Sequence, residues 1–203
     1  MAKKQNFTIL QGETFQRVIR WETLPYVYKA VSAITKAAPV QITAAGHGLM
    51  SGWRAAVVSA KGMTEINAKY SPPRESEFKQ VTKVSTDIIT INDVNSSNFS
   101  DYTSGGYLQS FTPVDLTGYH AKMEIKDRIG GTILLTLSDQ APDNRITLDN
   151  TNHTISLRID AVDTVSSVLT WTRGVYDLEM SGPTGAVTRI FTGNISVSKE
   201  VTT

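Results

Sequence analysis

The sequence predicts an all-β protein, a sandwich or a barrel, and three observations carry that prediction. Apolar and polar residues alternate with a period of two, as in YHAKMEIK (119–126). There Tyr119, Ala121, Met123 and Ile125 point one way, and His120, Lys122, Glu124 and Lys126 the other, which is a strand with one wet face. Turn-forming clusters recur roughly every ten residues, the punctuation of many short strands. Helical spacing shows in one stretch, DAVDTVSSVLTW (160–171).

In chain order, FTIL (7–10) begins the first strand-like segment directly after MAKKQNF. The alternation is looser in VQIT (40–43), AAVVS (55–59), FKQVTKV (78–84) and DIITIND (87–93). It sharpens again in GTILLTLS (131–138), TISLRID (154–160) and GNISVS (193–198), which offer Ile133, Leu135 and Leu137, then Ile155, Leu157 and Ile159, then Ile195 and Val197 to a core. Breakers at Gly130-Gly131, Pro142-Asp143-Asn144 and Asp149-Asn150 separate these runs. Residues 181–185 read as a hairpin loop between YDLEM and VTRIF. In residues 160–171, Val162, Val165 and Leu169 stand at helical spacing with Asp160 or Asp163 as a cap, so a short helix is expected to close one end of the sheets.

The 203 residues suffice for one large or two small domains. Residues 30–106 differ in texture from the rest, being rich in Ala, Ser, Thr, Asn and Gly and ending in NSSNFSDYTSGG. We read them as an inserted module, entered at Tyr26-Val27-Tyr28 and left at Tyr107-Leu108, whose ends lie close together on neighbouring host strands. The expected division is 1–27 with 109–203 for the host and 28–108 for the insertion.

Composition excludes several kinds of chemistry. Without cysteine there is no thiol nucleophile, CxxC redox pair or thiolate zinc site, and the redox compartment stays open. Twenty Lys and Arg against nineteen Asp and Glu, scattered along the chain, make no electrostatic footprint for nucleic acid. No apolar run approaches the roughly 20 residues of a membrane span, and MAKKQNF precedes no apolar leader segment, so a soluble, unsecreted protein is expected.

Two segments resemble known families. Residues 34–67, ITKAAPVQITAAGHGLMSGWRAAVVSAKGMTEIN, with DYTSGGY (101–107), resemble the small β-barrel modules of phage tail proteins that are likened to the FCCH domain of ubiquitin-activating enzymes. In that pattern a strand ends in an A-x-GHGL turn and GMTxLN leads on; here Ile66 replaces the leucine, and Trp53-Arg54 replaces a polar step. PVDLTGYHAKMEIKD (113–127), residues 154–171, GVYDLEM (174–180) and VTRIFTGNISVSKEVT (187–202) resemble an immunoglobulin-like β-sandwich of phage and prophage virion proteins. In such proteins a segment like FTILQGETFQRVIRW reaches PVDLTGY after a short loop, so the intervening residues imply that the barrel is inserted into that first hairpin. The resemblance thus implies an all-β, immunoglobulin-like sandwich with an inserted small β-barrel. Its implied role is a virion component of the tail, baseplate or neck, made in the bacterial host cytoplasm. It would work in several copies and touch tail tube, baseplate, collar or fibre subunits and copies of itself.

Each candidate site residue also has a structural role open to it. His47, between Gly46 and Gly48, is read as the tip of a tight turn: a metal would need convergent ligands, and His120 and His153 belong to the other module. Gly105-Gly106 and Gly130-Gly131 lie outside any phosphate-loop pattern and are read as turns. Asp177 with Glu179, and Glu124 with Asp127, are carboxylate pairs, but without GxSxG or an evident cleft they are read as solvated strand faces. We therefore expect no catalytic residue, metal or cofactor. Trp21 and Trp171 are expected in the core. Trp53, after a turn and beside Arg54, is expected to be partly exposed, and this pair is the candidate protein interface, with a carbohydrate-binding accessory module recognising host glycan as the alternative. PPRESEF (72–78) reads as an exposed loop or a docking arm that orders on a partner, and the tails MAKKQNF and KEVTT as free segments able to complete another chain's sheet.

Overall fold

The computed structural model describes residues 2–200. The first strands are β1 (Lys3–Lys4), β2 (Phe7–Leu10) and β3 (Phe15–Ile19). Next come β4 (Glu22–Ala30), β5 (Ala33–Ile34), β6 (Val40–Thr43), β7 (Arg54–Val58), β8 (Lys79–Lys83), β9 (Ile88–Ile91) and β10 (Tyr107–Pro113). The chain finishes with β11 (His120–Lys126), β12 (Ile133–Ser138), β13 (Ile146–Asp149), β14 (Thr154–Ile159), helix α1 (Ala161–Thr164), β15 (Arg173–Ser181) and β16 (Val187–Ser198). The fold is all-β. Its two compact units are residues 1–21 with 114–203, and residues 22–113.

In the first unit β16–β15–β11–β12 form one sheet, with β1 and β2 both added parallel to β16, and β3–β14–β13 form a second. These are the G-F-C-C′ and B-E-D strand sets of an immunoglobulin sandwich. Alternation along each strand supplies one shared core: Met123 and Ile125 from β11, Leu178 from β15, and Ile155, Leu157 and Ile159 from β14 are all fully buried. With no cysteine to bridge the sheets, aromatic rings do so. Phe15 of β3 meets Phe7 of β2 edge-on at 5.9 Å, and Phe7 stacks on Tyr176 of β15 at 5.3 Å.

Two expectations for this unit are corrected. MAKKQNF is not a free tail: β1 and β2 are stitched to β16, the Gln5 N–H donates to the Thr192 carbonyl at 2.9 Å, and the Asn194 N–H donates to Asn6 Oδ1 at 2.9 Å. Of KEVTT, residues 201–203 lie outside the described residues, and the Glu200 N–H reaches Gln11 Oε1 at 3.3 Å. The expected helix is a single turn. Val162 is 72 % exposed and Val165 also faces outward, so only Leu169 of the spaced trio enters the core. Thr164 closes the turn's inner side, its one hydroxyl proton shared between the Glu13 and Ala161 carbonyls, each 2.9 Å from Oγ1.

The second unit is one curled sheet in the order β4-β10-β7-β8-β9-β6-β5. Its two end strands, β4 and β5, are consecutive in the chain, so a single run of backbone bonds β10 on one side and β6 on the other. The Val31 N–H donates to the Gly106 carbonyl and the Ser32 N–H to the Thr43 carbonyl at the changeover, which rolls the sheet around Ile42, Trp53, Met63, Val81, Ile89 and Leu108. The expected boundaries at 28 and 108 fall inside β4 and β10, which pair from Glu22↔Pro113 to Ala30↔Tyr107. The ends of the insertion are therefore adjacent. The host strands on either side, β3 and β11, belong to opposite sheets, so the insertion occupies a sheet-to-sheet crossover and not a hairpin.

Candidate functional site

His47 is the tip of a turn. Gly46 and Gly48 have φ of +56° and +71°, and the Gly46 N–H donates to Asp87 Oδ1 at 2.8 Å. The imidazole is buried, its Nδ1 accepting the Leu49 N–H at 3.0 Å. That leaves the proton on Nε2, which donates to the Ser85 carbonyl at 3.0 Å. Both ring nitrogens are committed to backbone. Among the described residues no group of three or more His, Cys, Asp or Glu is placed to hold a metal ion.

The expected exposure of Trp53 is overturned: its ring is 2 % exposed and lies in the core of the second unit. The reason is that β7 is covered on both sides, Ala55, Ala56 and Val57 all being buried, so the residue before it turns inward instead of toward solvent. Arg54, partly exposed, points the other way. Its guanidinium bonds Glu22 of β4 through Nε and Nη2, and Glu75 through Nη1 at 3.1 Å, while lying over the rings of Phe111 (4.8 Å) and Phe78 (5.7 Å). Arg54 thus pins residues 72–78 to the barrel wall. That segment is no unordered arm: Glu77 accepts the Arg74 and Lys69 N–H groups, and Arg74 stacks on Tyr70 at 3.4 Å.

Exposed rings do occur in this unit, though not where the sequence suggests. Tyr28 and Tyr107, on adjacent strands, are 53 % and 48 % exposed and meet edge-on at 6.3 Å. Directly opposite Tyr28 and two residues after Tyr107, Gln109 is buried with no hydrogen-bond partner for its Nε2.

The predicted carboxylates lie on the outer face of the β16–β15–β11–β12 sheet. Asp177 and Glu179 flank Arg189, 3.3 and 3.7 Å from its Nε. Glu124 accepts from Lys122 Nζ at 2.6 Å and from Lys126 Nζ at 3.0 Å. Those hydrogen bonds hold the Glu124 carboxyl below its ordinary range, and the bond to Glu124 raises Lys122. Asp127 is not part of this pairing; it braces the turn after β11 by accepting the Arg128 and Thr132 N–H groups. The face carries a shallow hollow of about 510 Å³. Every one of these acids lies within 4 Å of a cation, Glu124 having two lysines to itself and Asp177 and Glu179 sharing Arg189. His120, at the start of the same face of β11, lies beside Asp139 at 2.9 Å, and His153 lies against the Val114 carbonyl at 3.2 Å. No family model matches the chain, and no curated protein matches it.

Proposed function

We propose that this chain is a non-enzymatic structural protein of a bacteriophage virion, in the tail, baseplate or neck. It is present in several copies and acts through contacts with tube, ring, collar or fibre subunits and with itself. The observation that carries the reading is the architecture: an immunoglobulin-like sandwich interrupted by a curled sheet, with the segments that resemble the two virion modules falling one in each unit. The ion-paired carboxylates of the sandwich face support a contact role over catalysis. The test is quantitative mass spectrometry of purified particles. Several copies per particle are expected, and a chain found only in the lysate and never in particles sinks the reading.

Tyr28 and Tyr107 keep a second reading open, a carbohydrate-binding accessory module, now resting on these rings and not on the buried Trp53. Its mark is saturable binding of host glycan by the isolated chain that Tyr28→Ala abolishes.

A further inference from the structure

We propose that the outer face of β4 and β10, shared by Tyr28, Tyr107 and the buried Gln109 amide, binds a neutral hexopyranose unit of a glycan. The proposal deepens the carbohydrate reading above, on which it rests, by naming the polar group and the class of sugar. The first argument is the amide. Gln109 is 2 % exposed, and its Nε2 has no hydrogen-bond partner among the described residues. It stands apart from the barrel core: its neighbour Leu108 points into that core, so Gln109 points to the opposite face, as does its cross-strand partner Ala56, set between the core residues Ala55 and Val57. A buried donor left unsatisfied costs the fold stability, and a ligand that accepts from it recovers that cost on binding.

The second argument is what surrounds the amide. Two rows of side chains cross β4, β10 and β7 on this face, Ala30–Tyr107–Val58 and Tyr28–Gln109–Ala56. None of these side chains carries a charge, and Arg54, one row further along β7, is committed to Glu22 and Glu75. An acidic sugar would lose its hydration here with no counter-charge to replace it. Tyr28 and Tyr107, each about half exposed, meet edge-on, and Tyr28 meets Tyr26 edge-on at 6.4 Å. Exposed rings in edge contact change rotamer readily, so Tyr28 turns aside and opens the amide to a ligand seated against the rings. A pyranose suits both features: its C–H face lies on a phenol ring, and its hydroxyls donate and accept as a carboxamide does.

The experiment is isothermal titration of the purified full chain with maltohexaose, cellohexaose and chitohexaose, and with the acidic polymer colominic acid as a contrast, alongside NMR of the side-chain amides. Saturable binding of at least one neutral oligosaccharide and none of colominic acid is expected, with the Gln109 amide signals shifting on saturation. Gln109→Met keeps nearly the same volume and removes the amide. It is expected to raise the dissociation constant at least tenfold and to melt no lower than the parent, because an unsatisfied donor has left the interior. A Gln109→Met chain that binds as the parent does, or that melts well below it, overturns the proposal; the first result leaves the carbohydrate reading standing on the two rings alone. Binding of colominic acid in preference to the neutral sugars overturns it too. A chain that binds none of the sugars overturns both the proposal and the carbohydrate reading, and the virion reading is decided separately by particle composition.

Discussion

The hydroxyl of Tyr176 donates to the carbonyl of Gln5 at 2.9 Å, so a side chain in the middle of the sandwich core holds the backbone of the N-terminal strand. Burial pushes the phenol's pKa up, so it stays a donor through the whole working pH range. Tyr176→Phe keeps the stack on Phe7 and removes only this bond, leaving the Gln5 carbonyl without its donor. The expected loss is about 1–2 kcal/mol in urea denaturation. An unchanged midpoint means that water replaces the hydroxyl and that the bond holds nothing.

Gly193 makes the same crossing possible from the other side. A Cβ there would lie 1.8 Å from the Gln5 carbonyl oxygen, a backbone atom that cannot swing away as a side chain can. Gly193→Ala is expected to lift β1 and the Gln5–Asn6 step off β16 and to destabilise the unit by about 3 kcal/mol, at the upper end for overpacking. Hydrogen exchange reads it: amides of residues 3–8 should lose protection while those of β11 and β14 keep theirs.

Arg54 joins three parts of the second unit, the start of β4 through Glu22, the Glu75 turn, and the rings of Phe78 and Phe111. Lysine keeps the charge but cannot fork between two carboxylates or lie flat over a ring. Arg54→Lys is therefore expected to cost about 1–2 kcal/mol and to open residues 69–78 to proteases. Limited proteolysis with N-terminal sequencing of the fragments checks this; cleavage at the parent rate would show that Arg74 and Glu77 hold the segment unaided.

What the sequence reveals depends on whether a residue's role is local. The His47 turn is readable because flanking glycines announce positive φ, and the sandwich strands are readable because one wet face leaves a period of two. Trp53 is misread because it shares the inner face of the curled sheet with Ala55 and Val57, and the residues that cover that face, among them Ile42, Ile89 and Leu108, come from other strands. The available signal is the unbroken Ala55-Ala56-Val57-Val58 run, which lacks the alternation of a half-exposed strand. The boundaries fall short at 28 and 108 because β4 begins with ETLP, which looks like loop; Glu22 and Thr23 nevertheless pair with β10, and Leu24 and Pro25 form a bulge between them and the pairs from Tyr26 onward. The face with Lys122, Glu124, Asp177 and Glu179 is visible as alternation, but which of these side chains stand beside one another needs the β11–β15 register, which no single segment encodes.

The acid limb of the stability profile follows from two carboxylates on the sandwich. Burial works against the ionised form of Asp139, but the His120 ring, the Ala121 N–H at 2.8 Å and the Gln140 amide outweigh it and hold its pKa below the ordinary value. Glu124 is held down by its two lysines. A folded pKa below the unfolded one gives stability that is complete above the unfolded values, about 4 for carboxylates, and is lost as pH falls through the folded ones. The melting temperature is therefore expected to be flat from neutrality to about pH 5 and to drop below about pH 4. Asp139→Asn keeps an acceptor for the Ala121 N–H but has no proton to take up, so it should melt lower than the parent near pH 7 and converge with it toward pH 3. Calorimetric scans of the two proteins at half-unit steps decide the matter: curves that stay parallel down to pH 3 would mean that Asp139 contributes through its hydrogen bonds alone and that its charge adds nothing to the fold.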